Sequence, residues 1–229
     1  SSNIGFAKSV YSTYKNNKKK FIDNLETMGL TKPLDIQLVY QDNMLIKTPE
    51  RKDWWGSTLP AMSIGYEMHL SPLHILTFYN AFANRGKMVS PQFVSHIEKN
   101  GEVENIFDLD IIKSRICSQN IIDSIMPYMV DVVNKGTARK IKTDKYSIAG
   151  KTGTCEIRFW ETDSLEASQK SYSSSFVGFF PAKQPKYSCI VVIHDFIDAT
   201  NKSHYGGDVA APVFRQISDK LYSLDRSLS

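Results

Sequence analysis

Cysteine and long apolar runs are scarce in this sequence, and their scarcity excludes two classes of protein. The 229 residues include 3 cysteines, Cys117, Cys155 and Cys189, an odd number whose irregular spacing fits neither a disulfide framework nor a metal site. The longest apolar stretches, such as residues 189–193, are far too short to cross a bilayer. We expect Cys155 and Cys189 to lie buried in strands as small apolar residues.

Positive charge is not concentrated anywhere except in one short lysine run. The formal net charge is +4, and outside residues 15–20 the positive side chains are scattered, without a basic stripe that alternates with aromatics. This distribution argues against binding to nucleic acid. Since 41% of the residues are hydrophobic and 23% are charged, the composition suits a globular chain with one sizeable core and up to two subdomains.

The tetrad Lys151-Thr152-Gly153-Thr154 is the most informative short motif. It lies in a stretch of small and β-branched residues, 147–156, that predicts a strand containing glycine. Glycine in a strand marks the close approach of a ligand or another backbone. The lysine supplies a fixed positive charge and the threonine hydroxyls supply hydrogen bonds, so this strand is predicted to bind a carboxylate along its edge. The triplet Lys-Thr-Gly alone occurs by chance in roughly a few per cent of chains this long.

Other motifs turn this weak signal into a resemblance to a known family. The chain begins with Ser1-Ser2-Asn3, and a Ser-x-Asn element together with Lys-Thr-Gly belongs to the signature of class A β-lactamases and penicillin-binding proteins. Over essentially its whole length the chain resembles the penicillin-binding transpeptidases, and it is most similar to the division-type, class B high-molecular-weight members. The segments that carry this resemblance are residues 1–8, 61–76, 133–138 and 205–214.

The sequence departs from the family pattern at the nucleophile. In the family, the nucleophilic serine and its lysine lie in a Ser-x-x-Lys helix several dozen residues before the Ser-x-Asn loop, and here no residue precedes Ser1. The literal match Ser12 to Lys15 follows that loop, and we interpret it as a chance match on a solvated helix face. We therefore interpret the chain as the C-terminal part of a transpeptidase domain that lacks its nucleophile segment.

The predicted elements give an α+β fold, with a helical region followed by antiparallel strands and a covering C-terminal helix. The resemblance implies the C-terminal part of the serine β-lactamase/penicillin-binding transpeptidase fold. An Asn100-Gly101 hairpin is predicted within residues 93–107. Helices are predicted at residues 6–28, 71–86, 118–133 and 208–222, and strands at 146–157, 173–180 and 187–195. The last helix should present an apolar face made of Val209, Pro212, Val213, Phe214, Ile217 and Leu221.

The order of these elements divides the chain into two parts. Residues 1–138 form a mostly helical part with the Ser-x-Asn loop, and residues 139–229 form a sheet part with the Lys-Thr-Gly strand and the last helix. In the family, further strands of the sheet come from upstream residues. We therefore expect strand 187–195 to present an apolar edge through which the fragment self-associates.

The resemblance implies a role for each site residue. Ser1 would shuttle a proton, Asn3 would bond the substrate amide, and Lys151 would set the local positive field. Thr152 and Thr154, with Gly153 between them in the substrate-binding strand, would hold the terminal carboxylate of a stem peptide or the acid of a β-lactam. The Thr154 backbone N–H would be one oxyanion donor. No cofactor or metal is implied.

The expected function is therefore that of a peptidoglycan D,D-transpeptidase. Such an enzyme cross-links D-Ala-D-Ala stem peptides through a serine acyl-enzyme in septal cell-wall synthesis, works with division proteins and is inhibited by β-lactams. The resemblance places the parent at the bacterial inner membrane, facing the periplasm and anchored by an upstream segment, and makes the fragment soluble. The alternatives are a β-lactam sensor or class D β-lactamase on the same fold, and a non-catalytic binding module.

We expect the 229-residue chain to form no stable covalent adduct with a fluorescent penicillin, because no acylatable serine stands before its Ser-x-Asn element. A denaturing gel after incubation checks this. Labelling that survives denaturation would contradict the expectation, and its loss in Ser12→Ala would identify Ser12 as the acylated residue.

Overall fold

The computed structural model describes residues 2–39, 44–157, 171–196 and 203–225, and these residues belong to two units. The first unit contains the chain up to Phe78 together with Lys87–Cys117. The second contains Tyr79–Gly86 and the chain from Ser118 onward. The tetrad lies in the second unit and Asn3 in the first, whereas Ser1 lies outside the described residues.

The helices and strands follow one another along the chain as follows. Residues before 118 form α1 (Asn3–Tyr14), α2 (Lys18–Thr27), β1 (Leu45–Ile46), α3 (Thr58–Ser63), β2 (Met68–His69), α4 (Pro72–Ala83), β3 (Met88–Val89), β4 (His96–Lys99), β5 (Glu102–Ile106) and β6 (Ile111–Lys113). Residues from 118 onward form α5 (Gln119–Asn134), a 3-10 turn (Arg139–Ile141), β7 (Ala149–Glu156), β8 (Tyr172–Phe180), β9 (Tyr187–Phe196) and α6 (Ala210–Leu224).

The single helix predicted at residues 6–28 is wrong, because the chain forms two helices there. Asn17 leaves the helical conformation, and its side-chain oxygen accepts a hydrogen bond from the Lys20 backbone N–H, which caps α2. Asparagine competes for backbone groups in this way and so favours a cap over a helix interior. Ser2 caps α1 similarly, since its Oγ accepts from the Gly5 N–H at 3.1 Å. The predicted end of the helical segment at residue 28 is confirmed, since Met28 is the C-cap of α2 and Gly29 follows it with φ at 83°.

The predicted hairpin and the predicted second long helix are both confirmed. Asn100 and Gly101 have φ values of 55° and 85°, as a two-residue turn that joins twisted strands requires, and they connect β4 to β5. Helix α4 begins at Pro72, where the missing proline N–H has no helical partner to lose. It ends before Gly86, whose N–H donates to the Ala81 carbonyl at 2.7 Å.

Three long antiparallel strands form the sheet of the second unit, in the order β7-β8-β9. Together with the C-terminal helix α6 they confirm the predicted α+β arrangement. Within the described part of the chain, β7 and β9 are the two outer strands of this sheet. The predicted self-association through the outer strand β9 stays a prediction.

A hydrophobic cluster lies on each face of this sheet. On one face, Phe176 and Phe180 pack against Phe214 of α6, with ring centroids 4.8 and 5.9 Å apart. On the other face, Phe179 packs against Met129 of α5. Because successive strand residues point to opposite faces, alternating bulky residues of β8 supply both clusters.

The predicted apolar face of the last helix is partly wrong. Val213 and Ile217 are 36% and 38% exposed, whereas Ala210, Ala211 and Phe214 are fully buried. Ala210 and Ala211 form the buried face at the start of the helix together with Phe214, and Val213 and Ile217 lie outside this cluster. The expectation for Cys155 is also wrong: its thiol is exposed, while Cys189 is partly buried as expected.

Replacing Phe214 by Ala should lower the free energy of unfolding by about 3–5 kcal/mol, because Phe214 has no exposed surface and its removal leaves a cavity between two other rings. Urea denaturation measures the change. The matched control is Leu224→Ala in the same helix, which should change stability little because Leu224 is 65% exposed. Equal losses in both variants would contradict this assignment of the core.

Candidate functional site

The tetrad occupies an outer strand, so its chemistry lies at a sheet edge. Thr152 and Thr154 point to the face that α6 covers, because they alternate with Lys151, which points to the opposite face. The strand therefore presents hydroxyls on one face and an ammonium on the other. The register pairs Lys151 with Val177, Thr152 with Phe176, Gly153 with Ser175 and Thr154 with Ser174.

Lys151 is held close to the backbone of its own strand. Its Nζ donates to the carbonyl oxygen of Thr152 at 2.9 Å. The side chain is partly buried, and this burial lowers the pKa of its ammonium from the ordinary value of 10.5. A positive charge that is poorly solvated in this way gains more from an incoming anion than an exposed lysine does.

Thr152 contacts a residue that follows α5. The hydroxyls of Thr152 and Thr137 lie 2.8 Å apart, and either of them can be the donor. The two residues are 15 positions apart in the sequence, so this contact depends on the packing of α5 against β7. Thr137 therefore places a second hydroxyl at the tetrad.

Thr154 contacts the segment 203–209, which leads into α6. The backbone N–H of Gly206 donates to Thr154 Oγ1 at 3.0 Å. This approach requires glycine, because a β-carbon at residue 206 would overlap the carbonyl oxygens of Gly153 and Ser175. The close backbone approach predicted at Gly153 is therefore made by the 203–209 segment.

Side chains of β8 and of the 3-10 turn hold this segment in place. The Ser174 hydroxyl donates to the carbonyl of His204, whose ring stacks on Tyr172 with centroids 4.0 Å apart. Asp208 accepts from Ser203 and forms an ion pair with Lys140. The hydrogen bond from Lys140 lowers the pKa of the Asp208 carboxyl below its usual range. The segment is thus anchored at both ends.

The remaining sequence-based candidates lie apart from the tetrad in the chain. Asn3 is the first residue of α1 and is exposed, and Ser1 lies outside the described residues. Ser12, the literal motif match, is exposed on α1 and donates its hydroxyl hydrogen bond to the Ser9 carbonyl, which agrees with its interpretation as a solvated helix residue.

Sequence reasoning assigned no role to Thr137 and Gly206. Both lie in segments that carry the family resemblance, 133–138 and 205–214, and this was the available signal. Neither the spacing nor the composition of those segments identifies the tetrad residue that each one contacts.

Comparison with known proteins gives a consistent result. Residues 1–219 match the family described as the penicillin binding protein transpeptidase domain. The peptidoglycan D,D-transpeptidase FtsI of Buchnera aphidicola subsp. Baizongia pistaciae is 26% identical over 206 residues, which are 90% of this chain and 33% of that protein. A probable peptidoglycan D,D-transpeptidase, PbpC of Pseudomonas aeruginosa, is 27% identical over 95% of this chain and 34% of its own length.

Solved structures show the same fold. Penicillin-binding protein 3 of Mycobacterium tuberculosis, complexed with aztreonam, has a TM-score of 0.74 at 22% identity, over 97% of this chain and 49% of that chain. The apo transpeptidase domain of Burkholderia pseudomallei penicillin-binding protein 3 has a TM-score of 0.72 at 22% identity, over 98% and 62%. The chain thus spans about a third of the length of the two curated relatives, 33% and 34%.

Replacing Lys151 by Met should raise the thermal midpoint at pH 7, because methionine fills the site without the cost of burying a charge. The gain should shrink as the pH rises toward 10.5. At a pH between the lowered pKa of Lys151 in the folded chain and its pKa in the unfolded chain, the unfolded state binds more protons than the folded state. The stability of the wild-type chain therefore rises with pH in this range, whereas that of the variant does not.

Thermal unfolding between neutral and alkaline pH measures both effects. The control is Lys145→Met, since Lys145 is exposed in the same unit and its replacement removes no buried charge. A midpoint of Lys151→Met below that of the wild type at neutral pH would contradict the prediction.

Proposed function

Since the chain belongs to the penicillin-binding protein transpeptidase domain family, we propose that it supplies the substrate-binding strand of a peptidoglycan D,D-transpeptidase of the division type. The relatives named peptidoglycan D,D-transpeptidase FtsI support the division assignment, including that of Escherichia coli at 25% identity over 95% of this chain. Their names do not favour the sensor, the β-lactamase or the non-catalytic module.

The observation that carries the proposal is the position of Lys151, Thr152 and Thr154 on the outer strand β7. An outer strand leaves backbone donors and acceptors for an extended peptide to pair with. The hydroxyls and the partly buried ammonium then select a peptide that ends in a carboxylate. We propose that the C-terminal carboxylate of a D-Ala-D-Ala stem peptide lies against Thr152 and Thr154.

The proposed chemistry is acyl transfer, which needs a base, donors for the oxyanion and a proton path to the leaving amine. We assign the Thr154 backbone N–H to the oxyanion and Lys151 to the local positive field. The family resemblance assigns proton transfer to Ser1 and the substrate amide to Asn3. These four assignments are part of the proposal.

β-Lactams and the location of the reaction follow from the same proposal. A β-lactam carries an acid group that the two threonine hydroxyls can bond, and a structural relative is described as complexed with aztreonam. The site would act where peptidoglycan lies, on the periplasmic side of the inner membrane, alongside division proteins. Within the described ranges of the chain, no helix combines the length and the apolar character needed to span a bilayer.

The test is an NMR titration of the chain with an acetylated peptide that ends in D-Ala-D-Ala. The backbone amide signals of Thr152, Gly153 and Thr154 should shift with the free carboxylate and not with the C-terminal amide of the same peptide. Replacing Thr154 by Val should weaken binding by about tenfold or more, because a hydrogen bond to a charged group is lost.

The matched control is Thr143→Val in the same unit, whose hydroxyl accepts from the Lys145 backbone N–H and which lies outside the tetrad. Its affinity for the peptide should equal that of the wild type. Equal shifts with the carboxylate and the amide would refute carboxylate recognition at this strand.

A further inference from the structure

The hydrogen bond between Gly206 and Thr154 has only one possible direction. A threonine hydroxyl has one hydrogen to donate and two lone pairs that accept, whereas a backbone N–H can only donate. Thr154 Oγ1 therefore accepts from Gly206, at 3.0 Å. One lone pair of Thr154 Oγ1 therefore faces the 203–209 segment, and the hydrogen of the Thr154 hydroxyl points away from that segment.

The peptide group that donates this bond cannot turn easily. Its N–H belongs to Gly206 and its carbonyl to Tyr205, and that carbonyl accepts from the backbone N–H groups of Asp208 at 2.8 Å and Val209 at 3.0 Å. A flip of the peptide would break all three hydrogen bonds. The turn before α6 therefore fixes the direction of the Gly206 N–H.

The position of this peptide is fixed as well as its direction. Residue 206 lies against the carbonyls of Gly153 and Ser175 with no room for a β-carbon. The carbonyl of the following peptide, that of Gly206, accepts from the backbone N–H groups of Ala210 and Ala211, which are fully buried at the start of α6. Residue 206 is thus held between the sheet and the helix, and its N–H is held with it.

The other hydroxyl of the tetrad is not fixed in the same way. Thr152 contacts the hydroxyl of Thr137, and either of the two can donate. Thr152 can therefore exchange donor and acceptor roles, whereas Thr154 accepts on the side of the segment. The two threonines differ in this respect although they look equivalent in the sequence.

We propose that the Tyr205–Gly206 peptide is a positioning group that presets the Thr154 hydroxyl as a hydrogen-bond donor for the ligand carboxylate. A carboxylate only accepts, so a hydroxyl that already points its hydrogen outward binds it without reorganisation. Gly206 does not contact the ligand in this role and acts through Thr154. The inference rests on the proposed carboxylate recognition by the tetrad.

The first test needs no ligand. Hydrogen exchange of the Gly206 amide should be about tenfold faster in Thr154→Val, which removes the acceptor, and close to wild type in Thr154→Ser, which keeps it. The Val177 amide in β8 serves as the folding control and should be unchanged. Equal Gly206 exchange in the wild type and Thr154→Val would overturn the proposal.

The second test uses the acetylated D-Ala-D-Ala peptide. Gly206→Ala should weaken its binding about tenfold, because the displaced peptide no longer orients the Thr154 hydroxyl. The double variant Gly206→Ala/Thr154→Val should bind no more weakly than Thr154→Val alone, because both changes act through the same hydroxyl. Gly56→Ala is the control, since a β-carbon there meets no atom within 4 Å. Additive losses would overturn the inference and leave the proposed function standing.

The two proposals fail in different ways. A wild-type chain that binds neither the carboxylate peptide nor its amide would overturn the proposed function, and this inference with it. If Gly206→Ala does not fold, the exchange rates of the Gly206 amide in Thr154→Val and Thr154→Ser still decide whether the hydrogen bond exists. We also expect Thr154→Ser to bind the peptide as tightly as the wild-type chain, because serine keeps the hydroxyl. Loss of binding in Thr154→Ser would count against a role for the hydroxyl donor.

Discussion

The structure of the second unit depends on strands whose backbones approach closely at glycine residues, which have no side chain. Gly150 and Gly178 are paired across β7 and β8, and a β-carbon on Gly150 would lie 2.5 Å from the Val177 carbonyl and 2.7 Å from the Phe176 ring. The ring of Phe176 thus occupies the space above the glycine pair. Because α6 packs on that ring through Phe214, the helix position and the sheet geometry are set together.

The same strand gives the site its two chemically distinct faces. Alternation sends the hydroxyls of Thr152 and Thr154 toward the elements near α6 and sends Lys151 toward the α5 side, where burial lowers the pKa of its ammonium. Neither face by itself combines charge and directional donors. A ligand that lies along the edge of β7 can use both, which is why an outer strand, and not an inner one, suits this chemistry.

The sequence predicted most of this architecture because its signals are local. The strand around the tetrad, the hairpin at Asn100 and the helix that begins at Pro72 each follow from neighbouring residues and were found. The break at Asn17 was missed because the prediction rested on the length of the segment and on its glycine stop, although residues 15–20 contain no apolar side chain. Contacts such as Gly206 with Thr154, 52 residues apart, depend on how α6 packs on the sheet, and no local pattern contains that information.

The Tyr205–Gly206 peptide also connects the tetrad to the hydrophobic core. Its N–H holds the Thr154 hydroxyl, its carbonyl belongs to the turn before α6, and α6 places Phe214 at the centre of the core. A short stretch of backbone, residues 206–214, therefore connects the Thr154 hydroxyl to that ring. Under the proposed function, carboxylate binding at the strand edge and packing of the core depend on the same stretch of backbone, so a substitution in α6 affects both.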